Sequence, residues 1–155
     1  QKSVDAIEVV IHRESVIHSM VEYADGSCIA QLGVPDMQIP IQYAMTYPNR
    51  VPSGVKPLSL ADYGQLTFYR PDLETFSCLR VCMDALRMGG LYPCAANAAN
   101  EEAVALFREE KIRFLQIGEL VEKAAFAQHM PLEYTLEDVF WAEREARRFV
   151  REHGR

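Results

Sequence analysis

Between Met37 and Asp72 the chain is punctuated by Pro40, Pro48, Pro52, Pro57 and Pro71, with Gly54 and Gly64 among them. Proline fixes φ and removes a backbone donor, so neither a long helix nor a central strand can run through such a stretch. Regular structure is therefore confined to its two flanks and to short pieces inside it. A short helix fits at 41–47. YPNRVPSGVKPL reads as an irregular connector, and Leu58, Leu60, Leu66 and Phe68 nearby predict that it packs onto something rather than hanging free.

On the N-terminal flank the pattern is β. IEVVIH, SVIHSMVEY and SCIAQL are rich in β-branched residues and bounded by polar breaks, which predicts an antiparallel meander over 7–32. Asp25-Gly26 predicts a two-residue type I′ turn, because that turn needs positive φ at both central positions. With that turn, His18 falls opposite Gly33, Met20 opposite Gln31 and Val16 opposite Pro35. Strand side chains alternate, so His18, Met20, Gly33 and Pro35 share one face, joined by Met37 if the extended backbone persists. Ser15 falls on the other face. His12 precedes the polar Arg13-Glu14 break and has no assignable face.

A glycine opposite a histidine leaves a vacancy. Either the imidazole fills it, or His18 and Met37 form a wall against which a ligand packs. Imidazole can donate or accept a hydrogen bond near neutral pH, and a thioether suits an apolar cofactor surface. Spacing does not choose between these readings.

On the C-terminal flank the period becomes helical. LETFSCLRVCMDALRMGG places Phe76, Leu79, Cys82, Met83 and Leu86 on one stripe and stops at Gly89-Gly90. AANAANEEAVALFREEK offers Asn97 and Asn100 as caps, with Val104 and Phe107 on one face. IGELVEKAAFAQ and LEDVFWAEREARRFVREHG complete four helices, with connections short enough for antiparallel neighbours. The class is therefore α+β: a β meander, a Pro-rich linker and a four-helix bundle. Trp141 sits at helical spacing, where a core anchor or interface contact is expected rather than a ligand contact.

Charge and cysteine usage exclude several functions. The formal charge of −6 gives no basic field for nucleic acid. Arg144, Arg147, Arg148 and Arg151 are interleaved with Glu143, Glu145 and Glu152, the pattern of a solvated, ion-paired helix face. Cys28, Cys78, Cys82 and Cys94 show no CxxC spacing. Cys78 and Cys82 could share a helix face, but no third ligand lies near them in sequence. That leaves a metal-binding helical protein unsupported and predicts buried free thiols, suited to a reducing compartment. There is no apolar run of about 18 residues and no basic-then-apolar start, so no membrane span or signal peptide is expected.

SVIHSMVEYADGS, IAQLGVPDMQIPI, YPNRVPSGVKPLSL, ANAANEEAVALF and IRFLQI occur in that order over nearly all of the chain. Together they closely resemble the 1-deoxy-D-xylulose 5-phosphate reductoisomerase family, with VIHSMV and AQLGVPDM as the specific combination. One local departure is HRES at 12–15, where the family more often has HPQS. The resemblance implies a V-shaped homodimeric enzyme with an NADPH-binding domain, a catalytic domain, a linker and a helical domain. This chain matches only the last portion: 1–46 as the end of the catalytic domain, 47–72 as the linker and 73–155 as the helical domain.

The same resemblance implies conversion of 1-deoxy-D-xylulose 5-phosphate to 2-C-methyl-D-erythritol 4-phosphate in non-mevalonate isoprenoid biosynthesis. The carbon skeleton rearranges, NADPH delivers hydride, and Mg²⁺ or Mn²⁺ polarises the substrate oxygens. It makes His18 catalytic and substrate-binding, Ser15 and Met37 substrate-binding, and Pro35 and Met37 neighbours of the nicotinamide. It implies a cytoplasmic enzyme, or a stromal one in a plant or alga. The resemblance places the metal ligands upstream of this chain, and within it Asp36 has no carboxylate partner nearby in sequence. No strand leads into a Gly-rich turn and helix as a dinucleotide requires. The chain begins at Gln1 rather than Met, and a truncated product that is inactive alone is expected. A reading without chemistry stands beside this one: an assembly module whose exposed sheet edges pair with a second copy.

Overall fold

In the computed structural model, which describes residues 3–154, two β-branched runs pair as an antiparallel hairpin, β1 (Ile17–Glu22) with β2 (Cys28–Leu32). Gln1, on which the expectation of a truncated start rests, lies outside the described residues. The hairpin loop holds three residues rather than two. The Tyr23 N–H donates to Ser27 O at 2.9 Å, and the Gly26 N–H donates to Tyr23 O at 2.9 Å. Only Gly26 has a positive φ (80°). Asp25 Oδ1 instead accepts from the Ser27 N–H at 2.9 Å and from its hydroxyl at 2.6 Å. One left-handed glycine then closes the longer loop. The register shifts by one residue, so Met20 faces Ala30 and Ser19 faces Gln31.

The expected third strand is absent from the ladder among the described residues. A turn closed by the Ser15 N–H on His12 O (3.2 Å) separates IEVVIH from β1. Ile11 instead exchanges backbone bonds with Tyr69, at 2.8 and 2.9 Å. Helix α1 (Gln38–Thr46) begins three residues before the expected 41, because Pro40 sits in its first turn, where the missing N–H has no helical partner to lose. The connector carries one helical turn, α2 (Leu60–Tyr63), capped by the Ser59 hydroxyl. Residues 9–70 form one compact unit, and the described residues up to Glu8 with those from Pro71 onward form another.

The second unit consists of a 3₁₀ turn at Val4–Ala6, α3 (Ser77–Met88), α4 (Tyr92–Arg108), α5 (Phe114–Ala125) and α6 (Leu136–His153). Helices α4 and α5 each pack against the other three, while α3 and α6 do not meet. The alanines of α4 explain this: Ala95, Ala96, Ala98, Ala99 and Ala103 are buried and present almost no bulk, so helices can approach α4 on several sides. Pro93 lies in the first turn of α4, which places Asn97 and Asn100 inside the helix rather than at its cap. Asn97 Nδ2 donates to Glu101 Oε1 at 3.2 Å.

The buried positions of α3 are Val81 and Ala85, and Phe76 and Cys82 from the expected stripe are exposed. Val81 and Ala85 join the core shared with α4 and α5, and the helix starts at Ser77, which leaves Phe76 outside it. All four cysteines are free, but Cys28 and Cys82 are exposed rather than buried. Trp141 packs against the core. Arg147, Arg148 and Arg151 of α6 are ion-paired: Arg151 is bidentate to Glu102 of α4 at 2.7 and 2.8 Å, Arg147 bonds Glu143 and Glu101, and Arg148 bonds Glu145. Among the described residues no helix is long and apolar enough to cross a membrane.

Candidate functional site

The first unit gathers its polar side chains around the start of β1. His12 is stacked on Phe68, with ring centroids 4.7 Å apart and planes 16° from parallel. Its Nε2 lies 3.2 Å from the Val16 N–H nitrogen and accepts from it. A nitrogen that accepts carries no proton, so Nδ1 is the donor. That N–H is shared between Thr67 O at 2.8 Å and Glu14 Oε2 at 3.0 Å. The Glu14 carboxylate also accepts from the Thr67 hydroxyl at 2.7 Å and the Thr67 N–H at 3.2 Å. The Thr67 hydroxyl is the main reason the Glu14 carboxyl sits below its usual range.

Val16, fully buried, connects this bracket to the hairpin. Its carbonyl accepts from the Gly33 N–H at 3.0 Å. The ladder then shifts between Ile17 and Ser19, so His18 occupies a β-bulge. Bulges re-aim a side chain, and here the imidazole lies against Gln31 and Gly33. His18 Nδ1 is 3.1 Å from Gln31 Oε1, and Gln31 Nε2 donates to Leu32 O at 3.1 Å. A carboxamide oxygen only accepts, so Nδ1 carries the hydrogen and Nε2 keeps a free lone pair. A methyl group at position 33 would stand 3.7 Å from the His18 ring, in ordinary contact. The imidazole itself covers the glycine, yet His18 remains exposed.

The remaining expected residues sit elsewhere on this unit. Ser15 has a left-handed backbone (φ 50°), is exposed, and has its N–H bound to His12 O. The extended backbone does not persist to Met37. The Asp36 N–H turns back to Val34 O at 2.8 Å, and Asp36 Oδ1 accepts from the Gln38 N–H at 2.8 Å. Met37 therefore stands at the cap of α1 with 69 % of its surface exposed, and the shared strand face expected for it does not form. Pro35 is exposed in the turn before it. Among the described residues no hydrogen bond joins Ser15, Pro35 or Met37 to His18.

Sequence reasoning missed Gln31, Glu14, Thr67 and the role of His12. Gln31 would follow from the correct register with its bulge. The other three meet across 53 and 55 residues of chain, with no local signal. Among the described residues no three His, Cys, Asp or Glu side chains converge as metal ligands would. The Asp36 carboxylate accepts the Gln38 N–H at the start of α1 through Oδ1.

Residues 32–149 match the DXP reductoisomerase C-terminal domain. The chain is 50% identical over 148 residues to the 1-deoxy-D-xylulose 5-phosphate reductoisomerase of Acetivibrio thermocellus, covering 96% of this chain and 39% of that protein. It is similar to the solved structure of 1-deoxy-D-xylulose 5-phosphate reductoisomerase from Zymomonas mobilis in complex with NADPH. That match has a TM-score of 0.83 and 41% identity, over 95% of this chain and 39% of the other. It is also similar to DOX-P reductoisomerase in complex with NADPH, fosmidomycin and magnesium, with a TM-score of 0.82 and 40% identity over 92% of this chain and 37% of the other. The chain thus spans well under half the length of the relatives it matches.

Proposed function

Since this chain belongs to the 1-deoxy-D-xylulose 5-phosphate reductoisomerase family, we propose that it supplies one wall of the substrate pocket in a cytoplasmic enzyme of that activity. The enzyme converts 1-deoxy-D-xylulose 5-phosphate to 2-C-methyl-D-erythritol 4-phosphate. NADPH supplies the hydride when bound, and a divalent cation, Mg²⁺ or Mn²⁺, belongs to the complete site. The described residues offer that cation no ligand cluster, so no step by this chain is assigned to it.

The observation that carries this reading is the exposed imidazole of His18, whose tautomer is set by Gln31. Its free Nε2 can accept a hydrogen bond from a substrate hydroxyl and orient the sugar phosphate. Ser15 can donate its hydroxyl nearby. Pro35 and Met37 offer apolar surface for the nicotinamide, and Met37 also borders the substrate. The test is His18→Gln in the reductoisomerase that carries this chain. A loss of at least about tenfold in kcat/KM is expected, and a value within about twofold of wild type sinks the assignment.

A specific observation favours self-association as well. Met20, Val21, Ile29 and Leu32 of the hairpin are between 36% and 63% exposed, on a sheet of only two strands. Such a sheet is marginal in water and its edges invite a further strand. The proposed enzyme is accordingly a homodimer in which this hairpin is covered. Sedimentation of the enzyme as a monomer at micromolar concentration would count against it.

A further inference from the structure

We propose that His12 is a positioning residue, a bracket that holds the end of β1 so that His18 is presented in one place. The proposal rests on the assignment of His18 to the substrate pocket. His12 cannot act as an acid or base itself in this arrangement, since both ring nitrogens are engaged. Nε2 accepts from the Val16 N–H at 3.2 Å, and Nδ1–H is held by Thr67 O and Glu14. Its side chain is 6% exposed, so solvent does not substitute for these partners. The His12 carbonyl also takes the Ser15 N–H. The two consecutive amides after the turn, Ser15 and Val16, thus both end on His12.

That pairing matters because Ser15 is left-handed, a conformation that side-chain-bearing residues keep only where their surroundings hold it. Beyond Val16 the connection continues without a gap. The Val16 carbonyl takes the Gly33 N–H, Gly33 lies under the His18 ring, and the bulge at His18 follows two residues after Val16. A displacement of Val16 therefore moves His18 relative to its seat on Gln31 and Gly33. Glu14 and Phe68 complete the bracket. The carboxylate accepts every donor aimed at it from Thr67, and the aromatic ring fixes the plane of the imidazole.

Steady-state kinetics of the reductoisomerase carrying this chain test the proposal with two variants. His12→Phe keeps the stack on Phe68 and loses both ring hydrogen bonds, while His12→Gln restores an acceptor for the Val16 N–H. A misplacement of about 1 Å costs on the order of a hundredfold, so kcat of His12→Phe should fall about 30- to 100-fold. KM for NADPH should stay within about twofold, and His12→Gln should recover about tenfold of the lost rate. Placed in a His18→Gln background, His12→Phe should cost under about threefold more, because its route to the substrate is already gone.

Unchanged kcat for His12→Phe, or a loss that multiplies in full in the His18→Gln background, overturns the proposal while leaving the pocket assignment intact. If His12→Phe fails to fold, His12→Gln compared in the two backgrounds decides in the same way. A harmless His18→Gln overturns the pocket assignment, and this proposal with it.

Discussion

A carboxamide oxygen accepts hydrogen bonds and never donates them, so Gln31 decides which nitrogen of His18 bears the hydrogen. Replacing Gln31 by Met keeps the length of the side chain and deletes the acceptor. One hydrogen bond is worth about 1 kcal/mol net, so kcat/KM of the enzyme should fall about five- to tenfold. The ¹⁵N signals of the His18 ring should change from one dominant tautomer to a mixture. An unaltered tautomer ratio in Gln31→Met would remove Gln31 from the site. The nearness of His18 to Gly33 was legible in the sequence, but the register behind it was not. The loop is one residue longer than the Asp25-Gly26 signal implies, and the bulge at His18 shifts the pairing by one more residue in the same sense, so Val16 pairs with Gly33 rather than Pro35. Met37 leaves the strand face because the extended run ends at Asp36, whose Oδ1 takes the Gln38 N–H at the start of α1.

At the scale of elements, the pattern gave the type of the hairpin strands and of the helices, failed for IEVVIH, which makes only a single bridge to Tyr69, and placed ends poorly. Four helices beyond Pro71 follow from the apolar period, but Pro40, read as a barrier, lies in a first turn, and α4 begins at Tyr92, ahead of the Asn97 and Asn100 offered as caps. The face of α3 was misjudged for a different reason. Apolar bulk suggested Phe76 and Cys82, whereas packing against both α4 and α5 buries Val81 and Ala85. Contact between helices is a tertiary fact that a single helix's period does not carry. The link between α3 and α4 offers a sharp test. Gly90 has φ 52°, and a Cβ there would run into the carbonyl of Pro131. Gly90→Ala therefore combines backbone strain with a backbone collision and should destabilise the helical unit by about 2–3 kcal/mol in urea unfolding. Gly54→Ala, with open space and no positive φ, should change stability by less than about 1 kcal/mol. Equal effects at the two sites would mean that the α3–α4 link yields freely.

Across the whole molecule, carboxylates held by donors recur in both units. Glu14 is bound by Thr67, Asp25 by Ser27, Glu101 by Arg147, Glu102 by Arg151, Glu122 by Arg80 and Asp138 by Thr135. These donors hold each of the six carboxyls below its ordinary range. The unfolded chain then binds protons at a higher pH than the folded one. Their stabilisation is fully present above the ordinary carboxylate range and is lost as pH falls through the lowered values. Desolvation acts oppositely on the thiols: partial burial raises Cys78 and Cys94, whose contribution is lost as pH rises through those raised values. Thermal unfolding should accordingly show a flat Tm from about pH 5 to about pH 8 and a steady decline below. Most of the ion pairs are solvent-exposed and individually weak, so no single substitution reproduces the acid slope. The exception to examine is Glu102, only 14% exposed and facing both Arg151 and Arg147. Glu102→Gln should flatten the acid limb more than Glu101→Gln does, and about 0.5 M salt should weaken the Arg-dependent part while sparing the Thr135–Asp138 cap. A Tm that holds level down to pH 3 would show that these carboxylates are as free in the folded chain as in the unfolded one.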